Sequence, residues 1–243
     1  MKDYLLDIVK HTNQLGFITL VKVVGSDKET VFEGLADDRS VILQATTKTP
    51  VAEFIGTFGM PNLDKLNTIL KIPEYEKDEK IELSYQDKGG EQVPVGIAFS
   101  NASGDFKNDY RFMSSQIIEE KLKTVKMREV NWGIEFQPTV ASIQRFKFQI
   151  SANSEETTFI AKTEGNDLKF FFGDHSTHAG NFVFQADVGG TLNRAWNWPV
   201  EQVSKILGLG GDITMKFSDD GVAEINVDSG LTNYRYLLPA QQK

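Results

Sequence analysis

Apolar side chains recur at helical spacing in four stretches of this chain and follow strand-like patterns through most of the rest. Residues 3–15 carry Leu5, Leu6, Ile8, Val9 and Leu15, with Asp7, Lys10, His11 and Gln14 between them. No Gly or Pro interrupts the pattern before Gly16, so it predicts an amphipathic helix. Residues 63–70 predict a second helix with Asn62 as its N-cap. Residues 139–150 place Val140, Ile143, Phe146 and Ile150 near one face and predict a third. The run ending at Leu207 predicts a fourth, with Pro199 in its first turn. Between the helices, β-branched and aromatic runs bounded by turn residues predict strands. In the first half they fall at 17–24, 29–35, 41–47, 51–58, 80–85, 92–99 and 109–113. In the second half they fall at 130–136, 157–162, 168–172, 181–188, 213–217, 222–227 and 233–238.

The second half repeats the closing plan of the first, in order. Leu63-Asp-Lys-Leu-Asn-Thr-Ile-Leu returns as Val200-Glu-Gln-Val-Ser-Lys-Ile-Leu. Ile81-Glu-Leu-Ser-Tyr-Gln-Asp-Lys-Gly returns as Ile213-Thr-Met-Lys-Phe-Ser-Asp-Asp-Gly, and Asp109-Tyr-Arg-Phe returns as Asn233-Tyr-Arg-Tyr. Matched phrases in one order point to a duplicated domain and to a symmetric assembly. The copies are read as residues 1–113 and 130–243. The charge-dense stretch 114–129 between them is a connector, lying along the surface or forming a short helix with Glu119 and Lys123 one turn apart.

At 243 residues the chain has room for two small cores, and its 40% hydrophobic and 25% charged content is that of a globular protein. It has no apolar run long enough to span a membrane, and the start of the chain does not read as a signal peptide. Zero cysteines exclude disulfides, thiolate metal sites and thiol nucleophiles. The net charge of −8 means that any contact with nucleic acid is confined to a segregated basic face.

Little of the chain reads as catalytic. His175 and His178 beside Asp174 have metal-ligand spacing but lack a fourth ligand, so a solvated loop is the simpler reading. Asp219, Asp220, Glu224 and Asp228 invite a calcium reading without the spacing of a calcium loop. Gly208, Gly210 and Gly211 end a helix rather than cradle a phosphate. The run Phe170 to Phe172 predicts a strand buried on both faces, or one whose second face meets a partner. The expectation is a protein that is not an enzyme and has no cofactor.

Two similar halves, each with two short helices among many strands, resemble the DNA sliding clamps, particularly those of T-even-like bacteriophages, which share the architecture of proliferating-cell nuclear antigen. The residues that carry the resemblance are Gly59-Met-Pro-Asn-Leu-Asp-Lys-Leu, Pro199-Val-Glu-Gln-Val-Ser-Lys-Ile-Leu and Asn233-Tyr-Arg-Tyr-Leu-Leu-Pro. The resemblance implies an α+β DNA-clamp fold, two similar domains each with two short helices packed on antiparallel sheets, forming a trimeric ring. It implies a processivity factor that encircles double-stranded DNA without sequence preference, tethers the replicative DNA polymerase and is loaded by a separate ATP-driven clamp loader. The compartment would be the cytoplasm of a bacterial host. The DNA-facing residues would be Lys10, His11, Lys65, Lys71, Arg145, Lys147 and Lys205 on the four helices. A partner-peptide pocket would involve Met127, Leu237, Leu238 and Pro239. The chain departs from the family in starting almost directly with its first helix, so the usual leading strand is short or missing, and in carrying extra residues around 89–107. The alternative is a duplicated β-rich phage accessory protein that forms no ring.

Overall fold

The computed structural model describes residues 1–76, 79–125, 128–174 and 178–241. Its elements are α1 (Lys2–His11), β1 (Val21–Gly25), β2 (Thr30–Leu35), β3 (Ile42–Thr47), β4 (Gly56–Met60), α2 (Leu63–Leu70), β5 (Lys80–Lys88), β6 (Glu91–Ser100), β7 (Lys107–Arg111) and α3 (Ser115–Lys121). They continue with β8 (Ile134–Phe136), α4 (Val140–Ala152), β9 (Thr158–Glu164), β10 (Asp167–Phe172), β11 (Gly180–Gln185), β12 (Trp196–Pro199), α5 (Val200–Leu207), β13 (Asp212–Phe217), β14 (Val222–Asp228) and β15 (Thr232–Pro239). By contact the chain divides into two compact units. The first comprises Met1–Asp37, Leu43–Val125 and Ser229–Tyr234; the second comprises Asp38–Ile42, Lys126–Asp228 and Arg235–Lys243. No helix among the described residues is long and apolar enough to cross a membrane.

The strand order carries the duplication further than the sequence does. In the first unit four strands run β4-β1-β2-β3, and in the second their counterparts run β12-β9-β10-β11. The three strands after the second helix of each half follow one another as meanders, β5-β6-β7 and β13-β14-β15. The difference lies at β13, whose other edge pairs with β8 in the register Met215↔Phe136 to Phe217↔Ile134. The first-half sheet starts at β5, with no such neighbour among the described residues. The extra residues of the first half lengthen one hairpin. There β5 and β6 stay paired from Lys80↔Ser100 out to Lys88↔Glu91, whereas β13 and β14 stop at Phe217↔Ala223.

Each unit has its own core. In the first, β2 buries alternate residues, the period of a sheet with one face covered. Its hairpin with β1 closes through Ser26, whose amide donates to the Glu29 carbonyl at 2.8 Å while its hydroxyl accepts from the Lys28 and Glu29 amides. In the second, Phe146 of α4 is fully buried among Phe159, Phe170, Phe172 and Phe184, with ring centroids 5.1 to 6.1 Å away. The phenylalanine run is therefore not buried on both faces. Phe170 and Phe172 point into the core and Phe171 is half-exposed, as strand alternation requires.

Several elements depart from the sequence expectation. The strand expected at 51–58 begins only at Gly56, because 51–55 turn: the Val51 amide donates to the Thr30 hydroxyl and the Phe54 amide to the Val51 carbonyl. The strand expected at 130–136 shortens to Ile134–Phe136, and the Gly133 amide before it donates to the Phe217 carbonyl. Short β12 lies where no strand was expected, and Pro199 ends it as the N-cap of α5. Asn62 stands at the N-cap of α2, but in a left-handed backbone conformation (φ 51°) and without a capping side-chain bond.

The connector stretch begins with α3, which buries Ile118 and packs on β4, and Leu122 at its C-cap is buried as well. Gly59 makes this possible. It exchanges backbone hydrogen bonds with Met113, and a β-carbon there would stand 2.9 Å from Ile118 Cδ1. Beyond α3, polar residues of three strands hold the chain. Lys22 donates to the Thr124 hydroxyl at 2.8 Å, Thr124 to Glu33 at 2.8 Å, and Gln44 to the Val125 carbonyl at 3.3 Å.

Candidate nucleic-acid interface

The repeated helices α2 and α5 are eight residues each and bury the same positions: Leu63, Leu66, Ile69 and Leu70 in one, Val200, Val203, Ile206 and Leu207 in the other. Their solvent faces differ. On α2, Lys65 and the C-cap Lys71 are exposed, and Asp64 accepts from Asn13 Nδ2 at 2.7 Å. On α5, Lys205 is exposed but lies 2.6 Å from Glu201, one turn away. Asp64 and Glu201 both sit in first turns, where the helix dipole favours an acid.

The first helix of each half supplies the rest. Lys10 is exposed in the last turn of α1. Arg145 and Lys147 are exposed on α4, the Arg145 guanidinium lying 5.4 Å from the centre of the Phe182 ring. With 13 residues α4 is the longest helix among those described, and it contains two basic residues and no acidic ones. Val140 does not share the core face expected for it. It is 86% exposed, and the buried face is set by Ser142 and Phe146.

His11 is not a surface residue. It is 1% exposed, stacks on Tyr234 with ring centroids 4.2 Å apart, and places Nδ1 2.8 Å from the Asp7 carbonyl oxygen and 3.2 Å from Asp7 Oδ1. Asp7 Oδ2 also accepts from the Ser229 and Tyr234 hydroxyls, each at 2.9 Å. Burial pushes the Asp7 carboxyl up, but His11 and the two hydroxyl donors outweigh it and hold it below the usual carboxylate range. The cluster removes both an expected DNA contact and an acid from the solvent face of α1.

The expected peptide pocket is not assembled from its named residues. Leu237 and Leu238 are 1% and 0% exposed within β15, so they close a core; Pro239, at the strand end, is exposed. Met127 lies outside the described residues, as does His175. Among the described residues no group of three or more His, Cys, Asp or Glu side chains is placed to hold a metal ion. The acidic run at 219–228 serves structure. Asp219 accepts from the amides of Asn193 and Arg194, and Glu224, 3% exposed, pairs with Arg235 and with Lys216. Lys216 is the register partner of Glu224 across the β13–β14 hairpin, whereas Asn193, Arg194 and Arg235 lie outside that hairpin and no local pattern indicates them.

No protein-family model matches the sequence, and no curated protein matches it. Solved structures do. PCNA of A. fulgidus, in a structure with the C-terminal region of FEN-1, is 11% identical with a TM-score of 0.68, over 100% of this chain and 97% of that one. PCNA of Thermococcus kodakaraensis is 12% identical with a TM-score of 0.68, over 98% and 97%. The PCNA2–PCNA3 complex of Sulfolobus tokodaii matches at 11% identity and a TM-score of 0.62, over 96% and 95%. This chain has the PCNA-like sliding-clamp fold. The match runs end to end over this chain and over the matched chains. At this identity the likeness lies in the backbone path, and the surface charges of the helices are this chain's own.

Proposed function

We propose that this protein is a sliding clamp: a homotrimeric ring that encircles duplex DNA and tethers a replicative DNA polymerase, without catalytic activity or cofactor of its own. The observation that carries the reading is the end-to-end PCNA-like fold. Two features of the chain favour a ring. Among the described residues β7 and β11 are each paired on one side only. They are two of six sheet-end strands, and these two edges, one from each half, suit head-to-tail pairing between chains, an arrangement that closes when the rotation divides a circle. Three copies of two similar domains would give six-fold pseudosymmetry.

In this reading the residues 1–113 and 130–243 form the equivalent domains, joined by 114–129. Lys10, Lys65, Lys71, Arg145, Lys147 and Lys205 would face the duplex, meeting phosphates without reading sequence. A separate ATP-driven loader opens the ring, and the setting is a bacteriophage-infected bacterial cytoplasm, as the sequence resemblance implies. Polymerase would dock near Pro239.

Sedimentation at micromolar concentration tests the assembly. The expected mass is about three times the 27.2 kDa of one chain, and a single-chain mass overturns the stable ring. Replacing Lys65, Arg145 and Lys205 together by Ala should then abolish polymerase stimulation on primed circular DNA while leaving that mass unchanged. Unchanged stimulation would favour an accessory protein that does not encircle DNA.

A further inference from the structure

Phe148 stands in the open on α4. It is 64% exposed, the most exposed aromatic side chain among the described residues, whereas Phe146, two positions earlier, is fully buried in the phenylalanine cluster. Its neighbours three and four residues away on the helix surface are Gln144, Arg145, Ser151 and Ala152, all exposed. Lys147 is exposed on the other side of the same face, and Val140 is 86% exposed near its start. On α1, the corresponding first helix, Leu6 is 40% exposed between the solvent-facing Asp3 and Lys10.

The charge around Phe148 defines its partner. The chain carries a net −8, yet α4 carries two basic side chains and no acid. An apolar centre flanked by cations suits a polyanion whose charges border a C–H-rich surface. Duplex DNA has that chemistry, with phosphates along both rims of the minor groove and deoxyribose forming its walls. We propose that Phe148 is a DNA-contact residue, seated against groove deoxyribose while Arg145 and Lys147 engage the bordering phosphates. The proposal rests on the ring reading and adds to it a component that salt does not screen. Phosphate contacts weaken steeply with ionic strength. An apolar contact does not, so Phe148 would supply residual grip on the duplex where the cations have lost theirs.

The test is binding of the full chain to a short, blunt, fluorescently labelled duplex, onto which a ring can thread, between about 50 and 200 mM salt. Phe148→Ser should weaken binding about five-fold at every salt concentration and leave the slope of log affinity against log salt unchanged. Lys147→Gln should lower that slope by about one. Phe148→Trp should bind as the wild type does, which separates an aromatic contact from loss of helix. If the wild type binds and Phe148→Ser binds equally well, the proposal is overturned and the ring reading stands. Binding to anionic phospholipid vesicles that depends on Phe148, with duplex binding unaffected, overturns it in favour of a lipid surface. Absence of wild-type duplex binding at the lowest salt overturns both readings.

Discussion

At the residue scale, burial sorts the candidate positions. His11 and Lys10 are adjacent, and composition treats them alike. One stacks under Tyr234 and the other is exposed in solvent, a distinction made by a residue from the far end of the chain. No pattern local to α1 announces it. The same cluster predicts a pH response. The Asp7 carboxyl titrates lower when folded than its ordinary 3.8, so its contribution is present above that value and is lost as pH falls through the folded pKa. Asp7→Asn should flatten the acid limb of a melting-temperature profile against pH and leave the profile's shape near neutrality unchanged. Gly59 is a second such position. In Gly59→Ala the new methyl meets Ile118 and Met113, and an overpacking cost of about 1–3 kcal/mol in denaturant unfolding is expected. Phe146→Ala, which empties the centre of the aromatic cluster, should cost about 3–5 kcal/mol.

At the element scale, what could be read from sequence was whatever had a short-range period. Helices α2 and α5 follow the apolar spacing residue for residue, since one buried stripe on an otherwise wet helix leaves a direct signature. The third helix was legible in extent but not in orientation. Its composition is apolar on several sides, and only the aromatic cluster reveals that Phe146 faces in while Val140 and Phe148 face out. Strand β12 escaped because Trp196–Pro199 is short and ends in a proline that also begins a helix. The candidate site was legible as a set of cations, but which ones are engaged elsewhere was not. Lys205 is held by Glu201 in an exposed pair of the kind worth at most ~0.5 kcal/mol. Lys205→Ala should therefore leave the melting temperature nearly unchanged while reducing the salt dependence of duplex binding.

At the scale of the whole molecule, assembly and DNA contact in the proposed ring would answer to different forces. Edge pairing between β7 and a neighbour's β11 would rest on backbone hydrogen bonds and apolar side chains, whereas the cations act through a field that salt screens. Raising salt over the same range should release the duplex and leave the sedimentation mass unaltered; a mass that falls in step with DNA release would contradict edge pairing. The division into units has a further consequence, for the order in which the protein matures. Ser229–Tyr234 belongs to the first unit, where it supplies the hydroxyls on Asp7 and the ring on His11. A ribosome makes this piece only after Lys126–Asp228 of the second unit. The first unit therefore emerges without these six residues and cannot close around His11 until Lys126–Asp228 has been translated. Chains halted before Ser229 should leave α1 open to protease, and synthesis of β15 becomes the checkpoint for closing the first unit around α1.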